Sequence, residues 1–122
     1  MLSAGAEATA SLIVTEADTA TALGSGDVAV LGTPRLVALC EQATVAAVAD
    51  QLEAGTTTVG TRVEIDHLRA APIGATVIAH ARLAHVDGRR LVFDVDVVDG
   101  EAAQVGRAVV VRAVVNRDRF GS

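Results

Sequence analysis

The longest stretch of apolar residues with helical spacing predicts one buried helix over residues 34–52. Apolar side chains surround most of this segment, which is typical of a helix covered on nearly every side. Thr33 is a good N-cap, and Pro34 fits the first helical position, where its missing N–H costs nothing. Gly55 is expected to end the segment.

Beyond Gly55 the apolar period changes to two, which predicts strands. Asp87–Gly88 and Asp99–Gly100 are turn signals between them. The predicted strands cover residues 59–67, 76–86, 91–97 and 102–115, and residues 7–15 are a plausible fifth strand. The order of strand, loop, long helix and four-strand meander predicts an α+β protein whose antiparallel sheet wraps around the helix.

Length and composition narrow the class of protein. The 122 residues suffice for a single domain, 1–122, and 51% of them are hydrophobic, which excludes a disordered chain. A net charge of −5, with no lysine and only two aromatic residues, argues against nucleic-acid binding. Cys40 is the only cysteine, so no intrachain disulfide forms. The chain lacks a membrane-spanning apolar run and the pattern of a signal peptide, so a cytoplasmic protein is expected.

Glu41 is an anomaly in the predicted helix, because it falls on the apolar stripe with Val37, Val45 and Val48. A buried carboxylate is costly unless it is paired or protonated. The stripe therefore either meets a partner subunit or polar pocket, or carries a functional carboxylate; we favour the second interpretation, since perturbed carboxylates cluster at functional sites.

His67 and Thr33 each have a structural and a functional interpretation. His67 ends a strand on the face of Val63 and Ile65, where it is either a hydrogen-bonded core residue or an acid–base group. Thr33 is first of all an N-cap, and alternatively a nucleophile or water-orienting hydroxyl at a helix N-terminus. From the residues alone, the N-cap interpretation is favoured.

The remaining candidates carry weaker signals. Gly60 interrupts a strand, which indicates either a bulge or a close approach of backbone to a ligand. Arg69, Arg89 and Arg90 are surface arginines that can also bind the phosphates of an anionic ligand. Cys40 is expected to be a small core residue. The histidines and Cys40 lack metal-ligand spacing, so no metal site is predicted; the other two histidines, His80 and His85, are assigned no role.

The spacing and order of these candidate residues together resemble those of the fluoroacetyl-CoA thioesterase family of the hot-dog fold. Thr33 and Glu41 are eight positions apart, and Gly60 and His67 are seven apart, as in that family. The hairpin at residues 86–91 and the last strand with Gly106 are also similar. The resemblance covers residues 31–115 and implies a curved antiparallel sheet of about five strands around one long central helix.

The resemblance implies an acyl-CoA thioester hydrolase with Thr33, Glu41 and His67 as the catalytic set and Gly60 lining the acyl site. No cofactor is implied, since coenzyme A is part of the substrate. Either Thr33 attacks, with His67 as base and Glu41 supporting it, or Glu41 or His67 activates water. The family carries aromatic residues just before the helix, whereas residues 26–31 here have none, so the acyl group stays open.

Two other functions remain open for this chain. A non-catalytic acyl-CoA or small-ligand binding module would keep the pocket and the arginines. A hydratase acting on an enoyl thioester is a second alternative, although Asp66–His67 at a strand end is unlike its usual site.

The apolar helix and the long Val-rich strand predict a homodimer with the site near the subunit boundary.

Overall fold

One long helix lies against the concave face of a curled, five-stranded antiparallel sheet in the computed structural model, which describes residues 2–121. The predicted α+β architecture is confirmed. Along the chain the elements are β1 (Glu7–Ile13), a 3-10 helix (Glu16–Asp18), α1 (Ala20–Leu23), α2 (Thr33–Val48), β2 (Thr56–His67), β3 (Thr76–Asp87), β4 (Arg90–Asp99) and β5 (Gln104–Asn116).

The order of the strands differs from the predicted meander. The sheet runs β1-β3-β4-β5-β2, so β2 pairs with β5 and lies at one edge. Only β3, β4 and β5 form a meander, so the predicted four-strand meander, which began with β2, is wrong. Residues 68–75 carry the chain from one edge strand to β3, passing a turn in which the Ala75 N–H donates to the Pro72 carbonyl. Turn signals locate the end of a strand but do not select its partner.

The central helix α2 begins where the sequence predicts and ends earlier. Gly32, in extended conformation, is the N-cap, and Thr33 is already helical, so the N-cap interpretation of Thr33 is wrong. A Cβ at position 32 would lie 3.0 Å from Leu23 Cδ1 and 3.1 Å from Ala20 Cα, so any side chain here would crowd α1. The helix ends at Val48 rather than at residue 52, because a turn follows in which the Gln51 N–H donates to the Val48 carbonyl.

The core lies between one face of α2 and the inner face of the sheet. The buried face of α2 consists of Leu36, Leu39, Cys40, Ala43, Thr44, Ala47 and Val48. It packs against alternate residues of the strands, of which Phe93 is the largest fully buried side chain. The opposite face of α2 is exposed, with Val45 at 47% exposure, so this helix is not buried on all sides within one chain.

Alanines allow the helix to lie close to the sheet. Ala8 pairs with Ala81 and Ala10 with Ala79 across β1 and β3, the two strands against which α2 packs most. Small side chains at these positions let the helix and sheet backbones approach each other, as the alanine- and valine-rich composition suggests. Within residues 2–121, no helix is both long and apolar enough to cross a membrane.

Candidate active site

The first turn of α2 and the last residue of β2 bring Thr33 and His67 together. The Thr33 hydroxyl and His67 Nδ1 are 2.8 Å apart, which is a good hydrogen bond. Because Gly32 serves as the N-cap, the Thr33 hydroxyl is available for this contact. For Nδ1 to accept the threonine proton, the imidazole must carry its own proton on Nε2.

The second imidazole nitrogen is buried without a partner. His67 Nε2 has no hydrogen-bond partner among the described residues, although the side chain is only half-buried overall. As predicted, His67 shares the inward face of β2 with Val63 and Ile65, and all three are half-buried. Buried polar nitrogens are normally hydrogen-bonded, so an unpartnered Nε2 is unusual.

A cavity of about 290 Å³ opens beside this pair. Thr33 and His67 line it together with Arg69, two residues after His67. The predicted position of Arg69 near the catalytic candidates is therefore compatible with the structure. The other lining residues are Ala20, Ser25, Val30, Leu31, Leu68 and Ala70, and none of them carries an acidic or basic side chain.

Glu41 lies elsewhere in the chain, two helical turns beyond Thr33. Eight residues of α-helix correspond to about 12 Å. Its Oε2 accepts a hydrogen bond from Arg112 Nη1 at 3.1 Å, and the two charges form an ion pair. The Glu41 side chain is 36% exposed, whereas that of Arg112 is 7% exposed. A single chain therefore does not bring Glu41 together with Thr33 and His67.

The backbone at Gly60 approaches the Glu41 carboxylate closely. A Cβ at this position would overlap Glu41 Oε2 and lie 3.3 Å from Arg112 Nη1. The strand register passes from Gly60–Arg112 to Arg62–Val111, so Thr61 is the extra residue of a bulge. Gly60 therefore adjoins a bulge, as one interpretation predicted, while the close approach of its backbone to a ligand stays a prediction.

Arg112 is the site residue that sequence reasoning missed. Its Nε donates to Thr58 Oγ1 at 2.9 Å and its Nη2 donates to the Thr58 carbonyl at 3.0 Å, in addition to the bond to Glu41. Three fixed contacts hold the guanidinium beside the carboxylate. The sequence contains a signal that could have identified it, because Arg112 is the single charged residue in the apolar run 108–115. Glu41 is an anomaly of the same kind in the helix.

Arg89 and Arg90 lie at the other end of the sheet. Arg90 pairs with Ala113 on β5, whereas His67 pairs with Gly106. Seven strand residues separate these positions, which corresponds to about 23 Å. The two arginines are therefore remote from Thr33 and His67 of the same chain.

Cys40 is a core residue, as expected. It is fully buried in α2, and burial raises the pKa of its thiol to about 11, with a further contribution from the charge of Glu41. A thiol with that pKa is protonated at neutral pH and is a poor nucleophile. Among the described residues there is also no group of three His, Cys, Asp or Glu side chains placed to hold a metal ion.

A buried carboxylate holds the start of α2 in place. Asp18 Oδ2 accepts hydrogen bonds from the backbone N–H and the hydroxyl of Thr15, both at 2.8 Å, and Oδ1 accepts from Arg35 Nε at 3.1 Å. The Asp18 carbonyl also accepts from the Gly32 N–H, next to Thr33. These contacts tie the segment before the helix to its first turn.

We expect Asp18→Asn to destabilise the protein at neutral pH by about 1–2 kcal/mol. The Thr15 N–H bond, together with Arg35, holds the pKa of Asp18 below its ordinary value against the opposing effect of burial. Such a group stabilises the fold above its unfolded-state pKa, and this contribution is lost as the pH falls through the lowered folded-state pKa. Urea unfolding at several pH values should show the two proteins converging in acid; a difference independent of pH would contradict this account.

Comparison with solved structures identifies the class of protein as the hot-dog fold of thioesterases. The crystal structure of the fluoroacetyl-CoA thioesterase FlK matches with a TM-score of 0.90 at 32% sequence identity, covering 98% of this chain and 93% of that one. A hypothetical protein of Thermus thermophilus, described as a thioesterase superfamily member, matches with a TM-score of 0.87 at 25% identity, covering 96% of this chain and 86% of the other. The predicted hot-dog fold is confirmed.

The family follows from the sequence. A family model described as FlK, fluoroacetyl-CoA-specific thioesterase, matches residues 14–118, so the chain belongs to this family. The fluoroacetyl-CoA thioesterase of Streptantibioticus cattleyicolor is 38% identical over 93 residues, which are 76% of this chain and 66% of that relative. The resemblance inferred from the spacing of Thr33, Glu41, Gly60 and His67 is confirmed at the level of the family.

Proposed function

We propose that this chain hydrolyses the thioester of acyl-CoA substrates, releasing a carboxylic acid and coenzyme A. The observation that carries the proposal is the hydrogen bond between Thr33 and His67 Nδ1 at the start of the central helix. Membership of a thioesterase family supports it. The reaction uses acid–base side chains alone, with coenzyme A entering as part of the substrate and no separate cofactor, and we place it in the cytoplasm.

The chemistry has two possible routes, which share the same residues. In one, Thr33 Oγ1 attacks the thioester carbonyl while His67 Nδ1 takes its proton; the C–S bond then breaks, and the thiolate leaves with that proton. Water next hydrolyses the acyl-enzyme, with His67 again as base. In the other route, His67 or Glu41 takes a proton from water, and Thr33 orients the substrate. In both, the N-terminus of α2 stabilises the oxyanion.

We propose further that the site is completed in a homodimer. Strand β2 is an edge strand of twelve residues, and an unpaired edge of this length is a template for another strand. Next to it, the exposed face of α2 lines an open apolar cavity of about 430 Å³ with Ala38, Val45, Ala46 and the Glu41–Arg112 pair. A second copy that pairs antiparallel along β2 covers both surfaces.

Antiparallel pairing along β2 also explains why Glu41 and His67 lie apart within one chain. The Gly60 half of one β2 strand then runs beside the His67 end of the partner strand. Since Glu41 lies against Gly60, its carboxylate approaches the partner's imidazole, and a carboxylate has a second oxygen to accept the Nε2 proton. The buried, unpaired Nε2 of His67 supports this arrangement.

The test is thiol release from a panel of acyl-CoAs, read with a thiol-reactive dye. The panel includes fluoroacetyl-CoA, acetyl-CoA and longer short-chain thioesters, because residues 26–31 lack aromatic side chains. We expect His67→Ala to reduce turnover on the order of a hundred- to ten-thousandfold. His80→Ala is the matched control, since His80 is an exposed histidine paired with Glu7 on the outer face.

The outcomes separate the two functions. Cys40 is buried and adds little dye background. Turnover that persists in His67→Ala, or that is lost equally in His80→Ala, would contradict the proposed site. Binding of acyl-CoA without turnover of any panel member would instead favour the non-catalytic binding module.

A further inference from the structure

Arg69 brings a positive charge to the cavity that Thr33 and His67 line. The cavity has a volume of about 290 Å³, and no aspartate or glutamate is among its lining residues. The exposed Arg69 side chain forms no ion pair or hydrogen bond within residues 2–121, although the chain carries 15 acidic residues against 10 basic ones. Four other arginines are each paired with a carboxylate, namely Arg35, Arg62, Arg107 and Arg112. The Arg69 guanidinium is therefore available to an anionic group of a ligand.

The backbone places Arg69 next to the Thr33–His67 pair. The Leu68 and Arg69 N–H groups both donate to the Val105 carbonyl, at 2.8 and 3.2 Å, which fixes the chain just after β2. Two residues span at most about 7 Å, so the Cα atoms of His67 and Arg69 lie within that distance of each other. From there the long arginine side chain reaches groups beside the imidazole without any movement of the backbone.

The first turn of α2 leaves one backbone amide for an oxygen of the ligand. Pro34 has no N–H, and the next two N–H groups of the helix both donate to the Gly32 carbonyl, at 3.0 and 3.1 Å. The Thr33 N–H donates no hydrogen bond within residues 2–121. In the proposed reaction this amide binds the thioester oxygen, so the acyl group starts beside Thr33 and His67, within reach of Arg69.

The size and walls of the cavity favour a short acyl group. Pockets for drug-sized ligands measure about 300–1,000 Å³, so this cavity suits a smaller group. Apolar side chains that can cover one or two methylene groups make up most of its wall: Ala20, Val30, Leu31, Leu68 and Ala70. Guanidinium groups bind carboxylates through two parallel hydrogen bonds, and the N-terminus of α2 also favours negative charge. An acyl group with an anionic end therefore matches the cavity better than a neutral one.

We propose that Arg69 selects short acyl groups that end in a carboxylate, of the malonyl or succinyl kind, so that hydrolysis releases a dicarboxylic acid and coenzyme A. This inference rests on the proposed function and names its class of acyl group. The phosphates of coenzyme A offer the same anionic chemistry. However, the pantetheine arm separates them from the thioester, whereas Arg69 adjoins the Thr33–His67 pair.

Paired substrates that differ only at the end of the acyl group test the role of Arg69. Malonyl-CoA is matched with acetoacetyl-CoA, and succinyl-CoA with 4-oxopentanoyl-CoA, in which a methyl ketone replaces the carboxylate. In at least one pair, we expect Arg69→Gln to lower kcat/KM for the carboxylate substrate by about tenfold or more. The value for its neutral match should stay within about twofold of wild type, since the neutral group forms no charged pair.

Arg82→Gln is the matched control, because it removes the same charge from an exposed position on the outer face of the sheet. We expect it to leave kcat/KM for all four substrates within about twofold of wild type. An equal loss for both members of each pair in Arg69→Gln would show that Arg69 binds a part common to all acyl-CoAs, such as a phosphate, and would overturn the inference. Unchanged values in both pairs would overturn it as well.

Binding of uncleavable analogues separates the failure of this inference from the failure of the proposed function. In these analogues of succinyl-CoA and 4-oxopentanoyl-CoA, a methylene group replaces the thioester sulfur, so no thiol is released. By titration calorimetry, we expect the succinyl analogue to bind wild type about tenfold more tightly than Arg69→Gln, and the neutral analogue to bind both alike. That result without turnover of any acyl-CoA would overturn the proposed function and leave the carboxylate site standing. Equal affinity of the succinyl analogue for both proteins would overturn the carboxylate site while leaving the thioesterase intact.

Discussion

A mixed dimer of two inactive variants, Glu41→Gln and His67→Ala, is expected to regain about half the activity of the wild-type dimer. If each site takes His67 from one protomer and Glu41 from its partner, the mixed dimer has one site with both changes and one with neither. The structure motivates this result, because Glu41 is paired with Arg112 two helical turns from Thr33, while His67 Nε2 is buried without a partner.

Co-expression of the two variants with different affinity tags isolates the mixed dimer directly, so that slow subunit exchange does not obscure the result. The controls are the two parent variants, each carrying both tags. Activity no higher than that of the parents would show that Glu41 acts within its own chain or not at all. Full activity of Glu41→Gln alone would show that Glu41 neither supports His67 nor activates water.

Gly60→Ala is expected to lower kcat/KM by about a hundredfold while changing stability much less. The new methyl group would overlap the Glu41 carboxylate, so the carboxylate must move away from β2. Displacement of about 1 Å in a positioned group costs this much in catalysis. Glu41 is partly exposed and can turn toward solvent, which limits the cost in stability.

Steady-state kinetics and thermal unfolding of the same preparation separate the two effects. Gly100→Ala is the matched control, because a Cβ there meets only Thr76 Cβ at 3.8 Å, an ordinary contact. If Gly60→Ala kept wild-type kcat/KM, the carboxylate would have no positioned role. If it instead unfolded the protein, the bulge next to Gly60 rather than Glu41 would be the reason for glycine.

Local features of the sequence predicted the central helix and the strands well, because each of these elements depends mainly on residues that are neighbours in the chain. Pro34 and the apolar period located the start of α2, and alternation located the strands. The end of the helix was misplaced because apolar residues continue through Leu52 after the chain has turned. The edge position of β2 was not predictable, since pairing with β5 is a long-range choice that no turn signal encodes.

In the candidate site, too, local features were predictable from the sequence and long-range contacts were not. Glu41 was identified because a carboxylate on an apolar stripe is anomalous by itself. Its partner Arg112 was overlooked, since the two residues are 71 positions apart and their contact depends on the fold. The contact of Thr33 also depends on the fold: Gly32 is the N-cap of α2, and the Thr33 hydroxyl bonds to His67, 34 positions away.

The core built around Phe93 has a practical consequence for spectroscopy. The chain contains no tryptophan or tyrosine, and its two phenylalanines absorb and emit weakly. The protein is therefore nearly dark in the near ultraviolet. A single tryptophan introduced along the β2 edge would be the dominant fluorophore, and its emission would report the local environment of that edge without background from the interior.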